Sequence, residues 1–193
     1  AGHSERVTRV AVGIGRQMQL SAAELDTLQR GALLHDIGKI AVPPAILDKA
    51  GPLTDDEWVV MQRHPVVGCE ILAPIQAQAD TLPLVRWHHE RMDGTGYPDR
   101  LAGDAIPPLV RVLAVADVFD ALSSQRPYRA GLSLPAACEI IRRSSGSHLD
   151  PRVVLAFLDL VRAGGVVPDA TTLESSSLAA SVARAREPHP SLL

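Results

Sequence analysis

Apolar residues recur at helical spacing along almost the whole chain, and no segment alternates in the way a run of strands would. Val7, Val10, Ile14 and Met18 mark a first helix. Ser21 and Glu24 form a capping box for a second, which runs through Leu25, Leu28, Ala32 and Leu33 to a His-Asp pair at 35–36. Gly38 suits a helix stop. Pro43-Pro44 and Gly51-Pro52 bracket a connector with one short turn. Thr54 and Glu57 make another capping box, for a helix that ends near His64. Pro65 opens the next, through Val66, Val67, Ile71 and Leu72. A helix over 82–90 ends in a His-His pair, and a long loop rich in Gly, Asp and Pro covers 91–108. The segment 110–123 is apolar almost all round and is expected at the centre. Further helices start at Ser133 or Leu134, ending at Arg143, and after a cap at Asp150, through Val153, Val154, Phe157, Leu158 and Val161. The pattern predicts an all-α fold, a compact multi-helix bundle carrying one long Gly/Pro-rich loop.

Composition narrows the classes. Hydrophobic residues make up 46% of the chain but aromatics only 3%, so the core is built from Ala, Val, Leu and Ile. The formal net charge of -3 offers no basic field for long nucleic acid. A small anionic substrate needs local positive groups instead. Cys69 and Cys138 make no disulfide framework and read as core residues. No apolar run approaches the ~20 residues that span a bilayer, and no signal peptide is visible. A cytoplasmic location without membrane insertion is expected. The 193 residues read as one domain over 1–169 followed by a tail or linker over 170–193, partly disordered or weakly helical around Leu178 to Arg186. The start at Ala1-Gly2-His3, without an initiator Met, reads as the interior of a domain, so a longer protein with a regulatory domain is expected.

Five of the seven histidines join two aspartates in one constellation: His3, His35, Asp36, His64, His88, His89 and Asp117. Neutral imidazole and carboxylate suit intermediate divalent metals. Adjacent residues on a helix point about 100° apart, so a pair near a helix end can flank a cluster. Asp36 is best placed to bridge two metals, since one carboxylate has two oxygens. Asp117 lies in the apolar run Val112 to Phe119, where an ionised carboxylate is expensive unless paired or bound to metal. Asp120, three residues on, shares its face and can orient a histidine. Glu90 is grouped with it as an outer partner. Each of these residues alone is more often structural; their conjunction points to a metal site.

Taken together, the blocks resemble an HD-GYP domain of the HD phosphohydrolase superfamily. They are His3-Ser4-Glu5-Arg6-Val7, His35-Asp36-Ile37-Gly38-Lys39, Arg63-His64-Pro65, His88-His89-Glu90, Asp93-Gly94-Thr95-Gly96-Tyr97-Pro98, Asp117 to Leu122 and Arg126-Pro127-Tyr128-Arg129, from His3 to about Phe157. The resemblance implies an all-helical fold and hydrolysis of cyclic di-GMP. It implies one metal on His3, His35, Asp36 and Asp117 and a second on His64, His88 and His89, bridged by Asp36. Fe or Mn comes first, with Zn, Ni, Co or Mg open, and the family leaves room for a third metal. Lys39 would reach the substrate phosphate, and Arg126 and Arg129 the phosphate or guanine. Tyr97 and its loop would shape the substrate groove, dock a GGDEF-type cyclase domain, or form a tight turn with a packed ring. Thr95 stands where Ser is usual, and Ser147-His148-Leu149-Asp150 replaces Thr-Gln-Phe-Asp.

The expected reaction is in-line attack by a metal-bridging hydroxide on a 3'-5' phosphodiester, with Asp36 and Lys39 as catalytic residues. The product is linear pGpG, with onward conversion to GMP left open. Two rivals stand beside it. An HD-type hydrolase of nucleoside triphosphates or (p)ppGpp needs only His3, His35, Asp36 and Asp117. A non-catalytic module would bind the cyclic dinucleotide or a partner.

Overall fold

A computed structural model describes residues 2–124 and 130–166. Among them helices carry the fold and there is no strand, only an isolated bridge between Ser145 and Leu149. The order is α1 His3–Gln17, α2 Ala22–Leu34, α3 Pro44–Leu47, α4 Asp55–Met61, α5 His64–Leu72, α6 Leu82–Trp87, α7 Pro108–Ser123, α8 Leu134–Arg143 and α9 Pro151–Arg162. Short 3-10 turns lie at Ile37–Ala41, Gln76–Thr81 and Gly103–Ala105. The expected tail over 170–193 lies outside the described residues. No described helix is long and apolar enough to cross a membrane.

The capping boxes form as the spacing predicts. Ser21 and Thr54 accept from the amides of Glu24 and Glu57, whose carboxylates return to the cap amides. Asp150 caps α9 by accepting from the Arg152 amide. Helix α7 is the centre, packed against α1, α2, α6, α8 and α9. Val110, Val112, Leu113, Val115, Phe119 and Leu122 are buried along it. Val7, Ala11 and Ile14 of α1, Leu28 of α2 and Phe157 of α9 close over it, and the Phe119 and Phe157 rings lie 5.0 Å apart. Burial of each large side chain contributes about 1.5–3 kcal/mol.

Several expectations need correction. Leu33 and Ile71, counted in the apolar pattern, are 44% and 39% exposed, because each lies beyond the stripe its helix presents to the core. Cys69 and Cys138 are half-buried: Cys138 packs against the core from outside it, and the Cys69 thiol donates to the Leu82 carbonyl at 3.4 Å. The sixth helix stops at Trp87, so both histidines of the pair lie on the turn beyond it.

Gly38 is not a helix stop. It is buried inside the 3-10 turn, where an added Cβ would lie 1.9 Å from the His64 carbonyl oxygen and 2.6 Å from the Gly68 nitrogen. Only a residue without a side chain lets this turn touch the backbone of α5. That contact brings the His35-Asp36 pair against His64.

The long loop is tied down at many points. Met92 and Asp93 donate their amides to the carbonyls of His148 and Ser147. Arg86 and Trp87 both reach the Asp99 carboxylate. The buried Arg111 guanidinium bonds the Ile106 carbonyl, Asp104 and the buried Asp150 carboxylate, at 2.7, 3.1 and 2.9 Å. One charged side chain thus joins the loop, α7 and the cap of α9.

Candidate metal centre

Three helix C-termini point into one cleft, and each delivers a histidine in the same way. Nδ1 of His35 donates to the Ala32 carbonyl at 2.7 Å, that of His64 to Met61 at 2.9 Å and that of His88 to Val85 at 2.9 Å. The accepting carbonyls belong to the last turns of α2, α4 and α6. Carbonyls there have no intrahelical donor, so they are free to accept. The bond places the proton on Nδ1 and leaves the Nε2 lone pair for the cleft. Burial keeps His64 and His88 below the usual histidine range, so both rings are neutral near pH 7. His89 is depressed likewise, by burial and then by the neighbouring His64.

The first helix supplies the fourth side. His3 Nε2 lies 3.4 Å from Asp117 Oδ1 and 3.5 Å from Asp36 Oδ2, and its Nδ1 lies 2.8 Å from Asp120 Oδ2. The three-residue spacing of Asp117 and Asp120 on α7 thus addresses the two nitrogens of one ring. Hydrogen bonds to Asp120 and then Asp36 raise His3 to about 9, against the opposing effect of burial. A cation at Nε2, proton or metal, is strongly favoured in this cradle. Burial opposes ionisation of Asp120, but His3 and Arg6 overcome it and hold the carboxyl at about 2. Arg6 binds Asp120 through Nε at 2.6 Å and Nη2 at 3.0 Å. In the sequence Arg6 stands out only as part of the His3-Ser4-Glu5-Arg6-Val7 block. Its position one turn after His3 was the available signal.

Asp36 sits in the middle with its two oxygens turned to different sets of imidazoles. Oδ2 lies 3.5 Å from His35 Nε2 and 3.5 Å from His3 Nε2. Oδ1 lies 3.4 Å from His64 Nε2 and 3.9 Å from His88 Nε2. Lys39 Nζ reaches Oδ2 at 2.6 Å. Burial works against the Asp36 charge, yet His3, His35, Lys39 and His88 hold its pKa far below the carboxylate range.

These donors fit divalent cations. Within each of three sets, His64-His88-His89, His3-His35-Asp117 and His35-Asp36-His88, the ligand atoms lie within 4.8 Å of one another. His35 Nε2 and Asp36 Oδ1 are buried without a hydrogen-bond partner, which is costly unless a cation satisfies them. His64 Nε2 and His88 Nε2 face each other at 3.2 Å, although both protons are committed to carbonyls on the far side of the rings. Two lone pairs at that distance repel unless a shared positive ion lies beside them.

The remaining expected residues fall at the margin or beyond it. Tyr97 stacks on His89, with ring centroids 4.8 Å apart and planes inclined at 28°. The Glu90 carboxylate accepts from the amides of Asp99 and Leu101, at 2.7 and 3.0 Å, and so fastens the loop to the His-His turn. Arg126 and Arg129 lie outside the described residues. The orienting carbonyls leave no mark in the sequence, because backbone partners have no residue type to read.

A model of the HD domain matches residues 1–153. The chain belongs to the HD domain family. The Gly96-Tyr97-Pro98 block beside His88-His89 is that of the HD-GYP type. This HD domain is 47% identical over 157 residues to the cyclic di-GMP phosphodiesterase response regulator RpfG of Xanthomonas campestris pv. campestris, covering 80% of this chain and 41% of that protein. It is 41% identical over 172 residues to 3'3'-cGAMP-specific phosphodiesterase 3 of Vibrio cholerae, covering 89% of this chain and 37% of that protein. The chain therefore spans about two fifths of the length of these curated relatives. A solved structure, Bd1817, an HDG"Y"P protein from Bdellovibrio bacteriovorus, shares the fold with TM-score 0.66 at 19% identity, over 83% of this chain and 51% of that one.

Proposed function

We propose that this HD domain hydrolyses a 3'-5' phosphodiester of cyclic di-GMP to linear pGpG at a site holding two divalent ions. The observation that carries this reading is Asp36, one carboxylate whose two oxygens face different imidazoles, Oδ2 toward His3 and His35 and Oδ1 toward His64 and His88. His3, His35 and Asp117 would hold one ion and His64, His88 and His89 the other, with Asp36 common to both. When bound, such ions supply Lewis-acid charge for the phosphoryl oxygens and lower the pKa of water.

The chain's own groups prepare the rest. Neutral imidazoles, buried at His64 and His88 and half-buried at His89, keep their lone pairs available across the neutral range. Lys39, half-exposed beside Asp36, offers its ammonium to a non-bridging phosphate oxygen at the mouth of the cleft. Arg126 and Arg129 are proposed to receive the second phosphate or a guanine edge. Iron or manganese is the proposed ion, since mixed imidazole and carboxylate sets suit both. The match to a cyclic di-GMP phosphodiesterase supports the substrate, and the match to a 3'3'-cGAMP enzyme makes that dinucleotide the comparison to run.

The test is anaerobic loading with iron or manganese, followed by chromatography of products from cyclic di-GMP, 3'3'-cGAMP and dGTP. Cyclic di-GMP is expected to yield pGpG fastest, and Asp36→Ala to abolish both metal loading and turnover. Loaded wild-type protein that leaves cyclic di-GMP intact would refute the proposal.

A further inference from the structure

Four imidazoles of the cleft are oriented by a hydrogen bond at Nδ1: His35, His64 and His88 by carbonyls and His3 by Asp120. His89 makes no such ring hydrogen bond among the described residues. A ring on a turn, one residue past a helix cap, has free rotation about its side-chain bonds unless something else restrains it.

Three rings pack on His89: His88 and His64, at 4.1 and 5.2 Å between centroids and inclined at 46° and 85°, and Tyr97, the one that lies flat against it and is not itself a candidate ligand. Tyr97 lies against His89 at 4.8 Å between centroids, and its amide donates to the His89 carbonyl at 3.3 Å. Trp58 of α4 meets Tyr97 edge-on, at 6.4 Å and 77°. The backbone permits this closeness at Gly96, where an added Cβ would lie 2.6 Å from each of the Arg91 nitrogen, the Glu90 Cα and the His89 oxygen. Glu90 completes the fold-back by accepting the amides of Asp99 and Leu101. The loop thus doubles over the His-His turn and lays one ring on another.

We propose that Tyr97 is a positioning residue for His89: its ring holds this imidazole in the orientation that lets it share a cation with His64 and His88. The stack does for His89 what carbonyls do for His35, His64 and His88 and what Asp120 does for His3. Both approaches restrict a ligand that would otherwise pay conformational entropy on binding. The inference rests on the metal-centre reading above. It differs from a substrate contact by Tyr97, which would change KM and leave metal affinity alone.

The experiment is titration of the protein with manganese(II), followed by calorimetry and by metal analysis after gel filtration. Tyr97→Phe keeps the ring and is expected to keep wild-type affinity. Tyr97→Leu is expected to weaken one of two sites about tenfold, the scale of outer-partner losses at metal sites. In a His89→Ala background the same change is expected to add nothing, because the two residues act as one unit. Unchanged affinity in Tyr97→Leu, or an equal loss with and without His89, would overturn the proposal. Should Tyr97→Leu melt below the assay temperature, Tyr97→Met, long and apolar but without a ring, decides by the same criteria. A wild-type protein that takes up no manganese refutes the metal centre itself; one that binds two ions regardless of Tyr97 refutes only the positioning role.

Discussion

His3 on the first helix places Nδ1 2.8 Å from Oδ2 of Asp120 on α7, and the same carboxylate is held from its other side by Arg6. Asp120 is 4% exposed, so this bond forms away from bulk water, where a charge-assisted contact is strong. It fixes which nitrogen of His3 faces Asp36 and Asp117. It also fastens the α1 end of the cleft to the central helix.

Asp120→Ala should therefore damage one ion site and spare the other. Affinity at the His3, His35 and Asp117 group is expected to fall about 10- to 100-fold. The group around His64, His88 and His89 should keep its ion. Metal stoichiometry measured across a manganese titration checks this. Two sites of wild-type affinity would show that His3 does not depend on Asp120.

Gly38→Ala should act through the backbone. The new methyl would meet the His64 carbonyl and the Gly68 amide, neither of which can rotate away. The 3-10 turn must then move off α5, carrying Asp36 away from His64. Overpacking of this kind costs roughly 3 kcal/mol, a fall in melting temperature of about 6–12 °C for a domain of this size. Calorimetry or a circular-dichroism melt gives the answer. A variant as stable as the wild type would mean that the turn can shift freely.

His148 gives a pH dependence of stability. Burial, and then the nearby Arg91 charge, depress it to about 4 from an ordinary value of 6.5. Between those values the unfolded chain binds the extra proton and the folded chain does not, so stability rises with pH. It is lost as pH falls from about 6.5 through 4. His148→Gln should flatten that part of the profile. Urea midpoints of both proteins at pH 4.5, 5.5 and 7 make the comparison, and parallel profiles would remove His148 from the account.

Much of this protein was readable from local signals. Ser21 with Glu24 and Thr54 with Glu57 announced helix starts because capping depends on neighbours three residues apart. The apolar run through α7 announced a central helix because only a core accepts such a surface. The candidate ligands stood out because histidine and aspartate are uncommon in such apolar company. Gly38 misled for a physical reason: a glycine after a helix looks like a stop, while its use here is a contact with a segment 26 and more residues away.

The one-dimensional chain settled the helical class, most helix starts and the set of side chains able to hold cations, since each follows from spacing and residue type. Tertiary packing alone decided which oxygen of Asp36 faces which histidines, that Arg6 reaches Asp120, and that Tyr97 lies on His89. Those relations depend on the crossing of helices and on backbone-to-backbone approach, which have no period and no composition to betray them.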